Sequence, residues 1–371
     1  MTRRAPILVL LSFLALYAAT AFPASPFNEQ LRQAFAFVHG HLSIDAPQSF
    51  LEHAQVGNYS YALHPPLPAF LLIPFAALWG MTFNQGIFSV LIGALNAMLV
   101  WVLLGRLKAD GRLWLTIFFG AGTIVWYETA IGTTWALPMT TALAFELLTL
   151  IELFGEARPL WIGVWGGLAA LGRYDLAFVG PAYLLFAWWK GRTVRELCWM
   201  APGFLAAATI YVALNEARYG SPFDIGLWFI PNVHPAAVFG FRYLPLNLNT
   251  LFFMAPVVNE NFPYIHPVVI GQALTLTSPA FVLALRPSFR RFEVWTMALA
   301  AALVSIPMLL CYANGMGQFG TRHFISAFPF LLAMMAMGEV DQLAKILICV
   351  SVILIAAGIC SIRMWGLGWS Y

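Results

Sequence analysis

"YALHPPLPAFLLIPFAALWG", residues 61–80, contains no charged side chain and four prolines, Pro65, Pro66, Pro68 and Pro74. Its apolar run, Leu67 to Trp79, is 13 residues long. A helix of that length covers about 20 Å at about 1.5 Å per residue. The hydrocarbon core of a bilayer is about 30 Å thick. Whether this stretch crosses the membrane sets the side on which every later loop lies, and so the face on which any chemistry occurs.

The rest of the chain leaves no doubt about the solvent. Of its 371 residues, 61% are hydrophobic and 9% are charged, against roughly 25% charged in soluble domains. Apolar runs near 20 residues without barrel-like alternation predict an all-α polytopic membrane protein. The net charge of +3 is small and dispersed, which argues against a nucleic-acid partner. Cys198, Cys311, Cys349 and Cys360 lie in apolar stretches without metal-type spacing and read as small core residues, not a disulfide framework. The opening "MTRRAPILVLLSFLALYAATAFPAS" has a basic start and an 18-residue apolar run from Ala5 to Phe22. That run is long for a signal peptide, so an uncleaved first helix is expected.

About eleven spans are expected: 5–24, 86–105, 113–128, 134–154, 160–172, 175–189, 196–214, 265–285, 292–312, 323–340 and 345–364. They form a single membrane domain, 1–371, with long non-spanning stretches at 25–85 and 215–264. Charge decides the role of 66–80. If it does not span, one side carries Arg3, Arg4, Arg158, Lys345 and the basic loops 106–112, 190–195 and 286–291. That side holds 13 of the 19 Lys and Arg residues. The other side holds only Arg32, Arg173, Arg218, Arg242, Arg322 and Arg363. If 66–80 spanned, the cytosol would keep only Arg3, Arg4 and the last five of those arginines. The bias therefore favours a non-spanning segment at the outer interface, opened by Pro66 and kinked by Pro74. All seven histidines then fall on the outer side, so chemistry is expected at the extracytoplasmic face.

Four constellations stand out there. "SPFNEQLRQAFAFVHGHLSID" follows the first span, with Asn28 and Glu29 opening a short helix over 29–39. Leu31, Ala34, Phe35 and Val38 recur at helical spacing, which predicts a helix lying flat with one face in lipid. A carboxylate at the dry mouth of a bundle can act as a general base; the bland reading is a helix N-terminal acid favoured by the dipole. His39, His41, Glu52, His53 and, further on, His64 could hold a divalent metal. The spacing is not diagnostic, and neither a metal nor another cofactor is expected. "ALGRYDLAFVGP" places Arg173 and Asp175 between two short spans, either as an internal pair of Arg173 with Asp175 or Glu128, or as a contact to a ligand phosphate. "NGMGQFGTRHFISAFPF" sets Gly315, Gly317 and Gly320 before Arg322 at the start of a span, a pattern suited to an anion. Glu146, within the span 134–154, has no evident partner and stays unassigned.

In order and spacing, "NE" after the first span, a long outer loop, "EHAQVGNYSYALHPPLPAFLLIPFAALWG" and then a span ending in basic residues resemble the GT-C superfamily of membrane glycosyltransferases. The nearest type is the family 39-like group of protein O-mannosyltransferases and aminoarabinose transferases. The resemblance is good over 1–190 and looser over 191–371. It implies a GT-C-like bundle with juxtamembrane helices in the first outer loop, packed against the bundle by the His-Pro-Pro segment. It implies inverting transfer of a sugar from a polyprenyl-phosphate donor to a glycan, lipid or protein acceptor. The family's loop acid pair, usually Asp-Glu, maps to Asn28-Glu29; this chain keeps the Glu and loses the Asp, so Glu29 is the expected base with Glu52 as the alternative. A second-loop acid maps to Glu128. His53, His64, Arg173 and Arg322 are the remaining expected substrate contacts, with Arg322 or Arg173 opposing the leaving phosphate. A lipid-linked sugar flippase or other multi-span transporter is the competing class, although no internal repeat is visible and the polar residues crowd one face. A catalytically dead family member is the third possibility.

Overall fold

The structure is a computed structural model that describes residues 4–45, 53–230, 237–258, 260, 265–268, 270–313, 315 and 318–365. Chain order gives α1 (Ala5–Thr20), α2 (Glu29–Val38), the hairpin β1 (His53–Val56) and β2 (Tyr59–Ala62), then α3 (Leu67–Trp79), α4 (Gln85–Arg106), α5 (Arg112–Ala121), α6 (Val125–Ile131) and α7 (Ala136–Phe154). The second half continues with α8 (Pro159–Gly172), α9 (Gly180–Trp189), α10 (Val194–Leu197), α11 (Ala201–Tyr219) and α12 (Leu244–Phe252). A two-residue pair β3 (Val257–Val258) and β4 (Ile265–His266) precedes α13 (Leu274–Thr277), α14 (Phe292–Leu310), α15 (Phe328–Ala336) and α16 (Gln342–Trp365).

Among the described residues five helical segments are long and apolar enough to cross a membrane: α4, α7, Val194–Tyr219, α14 and α16. Others, including α1, α5 and α8, are apolar but shorter. α7 is the central column, with 72% of its most apolar window buried, whereas Val194–Tyr219 has 11% and lies at the periphery. Exposed Leu205 and Val212 on α11, and Ile353 and Leu354 on α16, form the outward-facing apolar surface. α8 and α11 approach through bare backbone. A Cβ on Gly203 would lie 2.0 Å from the Gly163 carbonyl oxygen, and one on Gly167 would lie 2.3 Å from the Gly203 carbonyl oxygen. Gly163 and Gly167 thus form a small-xxx-small face, the pattern that lets helices pack closely in lipid.

The expected elements appear with informative differences. α3 is the 13-residue helix of the opening stretch, with Pro74 inside it. α2 forms at 29–38, but most of its apolar stripe is turned inward: Leu31 and Ala34 are fully buried against Ala69, Leu72 and Ala76 of α3 and Leu137 of α7, while Val38 is exposed. The expected span 113–128 is broken after Ala121, so that α6 is a separate seven-residue helix. The stretch 265–285 is no continuous helix. Its apolar residues are divided among β4, α13 and a 3-10 helix, Pro279–Leu285. Pro279 cannot donate to a preceding turn and Gly271 adopts φ +94°, both of which interrupt an α-helix.

The loops segregate to two ends. Arg106, Lys108, Asp110, Lys190, Arg291 and Gly338 line one cleft of about 390 Å³. The opposite end gathers the start of α2, the hairpin, the α6–α7 connection and the segment after α8.

Candidate active site

Glu29 is the first residue of α2 and is fully buried. Its backbone N–H donates to Thr134 Oγ1 at 2.7 Å, which ties α2 to the α6–α7 connection. Gln85, at the head of α4, staples the same corner: its Nε2 donates to the carbonyls of Phe27 (3.1 Å) and Gly132 (3.0 Å). The Thr134 contact satisfies one of the backbone N–H groups that a helix start otherwise leaves without a partner. The Glu29 carboxylate meets His64 Nδ1 at 3.5 Å, and His64 stands just before Pro65-Pro66 and α3. The proline-rich stretch therefore delivers an imidazole to a buried acid.

The wall of this site is Trp135, which precedes α7. Its ring centroid lies 6.3 Å from that of His64 and 4.8 Å from that of Phe27. From another direction the Arg322 guanidinium carbon lies 5.7 Å from the Trp135 ring centroid, within cation–π range. One aromatic side chain thus touches both the acid–imidazole pair and the arginine.

Arg322 is 8% exposed, and its Nε has no hydrogen-bond partner among the described residues. Gly320 before it adopts φ +75°, and a Cβ there would meet Ile124 Cγ2 at 2.5 Å, so the tight approach requires glycine. Gly315 is also left-handed, while Gly317 lies outside the described residues. Arg322 does not open an α-helix as expected. It begins a six-residue 3-10 helix, Arg322–Ala327, ahead of α15. Arg322 therefore stands at the head of a 3-10 turn and not at the N-terminus of an α-helix.

Of the other expected residues, Glu128 and Arg173 lie close to Arg322. Glu128 on α6 is 1% exposed and lies within electrostatic reach of Arg322 and Arg173; neither carboxylate oxygen has a hydrogen-bond partner among the described residues. Arg173 grips Asp175 through Nε and Nη2 at 3.0 Å and donates from Nη2 to the His323 carbonyl at 3.1 Å. That is the internal pair, anchored to the segment that carries Arg322. Asn28 Oδ1 accepts from Arg32 Nε at 2.9 Å, so its side chain is turned along α2. His53 pairs with Ala62 in the hairpin and is buried. His39 and His41 line a separate cleft of about 240 Å³ with Arg32 and Asp45. Glu52 lies outside the described residues. Among the described residues no three His, Cys, Asp or Glu side chains gather as a metal site. Thr134, Trp135 and Gln85 were not singled out in the sequence. Their only signal was a polar or aromatic residue at the end of an apolar run.

Residues 63–215 match the dolichyl-phosphate-mannose-protein mannosyltransferase family. The resemblance read from the sequence is thus shown from His64 through α3 and on into α11, a stretch that includes Trp135, Glu128 and Arg173. Glu29 precedes the matched stretch and Arg322 follows it. No curated protein and no solved structure matches the chain.

Proposed function

We propose that this integral membrane protein is a glycosyltransferase of about eleven crossings. It takes a sugar from a polyprenyl-phosphate donor and passes it, with inversion, to an acceptor at the extracytoplasmic face. The observation that carries the reading is the junction at Trp135, where a buried Glu29–His64 pair and the Arg322 guanidinium meet one wall. Inverting transfer from a lipid phosphate needs one base and one cation around a single anomeric carbon. The acceptor hydroxyl attacks that carbon and gives its proton to the Glu29 carboxylate. The bond from the anomeric carbon to the phosphate oxygen breaks, and its electron pair leaves with the phosphate towards Arg322. His64 holds the carboxylate in place. Arg173, already spent on Asp175 and the His323 carbonyl, fixes the arginine segment, and Glu128 lies beside Arg322 to orient the sugar or acceptor. Segregation of the basic loops 106–112, 190–195 and 286–291 to the end opposite the site supports an outward-facing site under the positive-inside rule.

The test is the product formed when purified protein meets labelled polyprenyl-phosphate hexose and a membrane extract. A new glycosylated product that requires Glu29 supports the reading. Translocation of the labelled lipid with no new product favours the transporter class.

A further inference from the structure

Arg218 sits in the last turn of α11 and is 5% exposed. Its Nη1 donates to the Ala62 carbonyl at 3.4 Å, and Tyr219 lies within electrostatic reach of the guanidinium. Nε and Nη2 reach neither solvent nor a partner among the described residues. No carboxylate among the described residues bonds the unpartnered nitrogens of Arg218. Asp224 accepts from the Gly226 N–H at 2.7 Å, Asp175 is held by Arg173, and Glu216 is exposed. Tyr174 and Tyr211, whose rings lie 4.7 Å apart, stand within electrostatic reach of Arg218. A guanidinium buried with orphan donors is costly, and its planar fork suits the oxygens of a phosphate or carboxylate.

Position gives the site its meaning. Ala62 pairs with His53 and stands two residues before His64, so Arg218 borders the hairpin that delivers the imidazole. We infer that Arg218, through its unpartnered Nε and Nη2, is an anion-binding subsite separate from Arg322, and that it takes a phosphate or carboxylate of the acceptor. The assignment to the acceptor rests on the proposed function, because the single phosphate of the donor is already placed at Arg322.

Two probes separate the sources. Thermal unfolding of the purified full chain is followed with inorganic phosphate, with a polyprenyl monophosphate, and with both. Phosphate should stabilise the protein even at saturating polyprenyl phosphate and in Arg322→Ala. In Arg218→Gln its apparent affinity should fall about 10- to 100-fold, as for the loss of a charge-assisted bond. Arg218→Lys, which keeps the charge and the fold, should show an intermediate loss. In transfer assays phosphate should compete with the acceptor extract, and that competition should be lost in Arg218→Gln. The subsite is overturned if phosphate has no effect, if polyprenyl phosphate abolishes the effect, or if Arg218→Gln leaves it unchanged. It is also overturned if the stability losses of Arg218→Gln and Glu52→Gln are strongly non-additive, because Arg218 is then half of an internal ion pair. Phosphate binding at Arg218 in a protein that transfers no sugar would keep the subsite and remove the proposed function alone.

Discussion

Replacing Glu29 with Gln is the sharpest perturbation available. The amide has the shape of the carboxylate, and the backbone N–H bond to Thr134 does not depend on the side chain. A neutral amide is also easier to bury than a carboxylate, so the thermal midpoint should hold or rise. What is lost is proton acceptance at a fully buried position 3.5 Å from His64. Removal of a general base typically slows a reaction by about 10²–10⁴, which at about 1.4 kcal/mol per decade is roughly 3–5 kcal/mol of barrier. Donor binding should survive, because Arg322 is untouched. His64→Gln should be milder, since it removes the orienting partner and not the base. The double variant should be little worse than Glu29→Gln alone, as expected of residues that act as a unit. The assay is initial transfer from labelled polyprenyl-phosphate hexose, with donor binding measured separately. Near-normal turnover by Glu29→Gln together with loss in Glu52→Gln would move the base to Glu52 and refute the assignment.

Arg322→Lys should raise the donor concentration needed for half-maximal transfer, and Arg322→Ala should raise it more, because a lysine cannot reproduce the two-pronged contact; wild-type titrations in both variants would leave Arg322 as an interfacial anchor. A single cysteine at Asn58 should react with an impermeant thiol reagent in intact cells and one at Asp110 should not; the reverse pattern would invert the topology and remove the outward-facing mechanism. Gly203→Ala should cost about 1–3 kcal/mol or more, the usual range for overpacking, because its Cβ would meet the Gly163 carbonyl. Gly180→Ala, with nothing within 4 Å of its Cβ, should be near neutral in the same thermal-unfolding measurement, and equal losses at both glycines would show that the α8–α11 contact is not close-packed.

The parts of this molecule that were legible in the sequence are those governed by local rules. Hydropathy and length marked α4, α7, α14 and α16, and proline chemistry with a 13-residue apolar run marked α3 as a short helix. Periodicity placed α2, because Leu31 and Ala34 repeat at helical spacing. The same periodicity could not say what that face meets, since lipid and α3 are equally apolar. Residues 265–285 mislead for a related reason: hydropathy measures the solvent, whereas Gly271 and Pro279 act on the backbone and divide the segment. The site lies further from local reading. Glu29, His64 and Arg322 each carried a signal, an acid at a helix start, an imidazole before two prolines and an arginine after glycines. Their convergence on Trp135 could not be inferred, because the three arrive from separate connections and Trp135 by itself is one of 14 tryptophans. Arg218 makes the point most plainly. At the end of an apolar run an arginine reads as an interfacial anchor reaching for water. Only the packing of α11 against the hairpin reveals that its Nε and Nη2 are buried without partners among the described residues. That difference separates a residue that holds the helix at the membrane surface from one that waits for an anion.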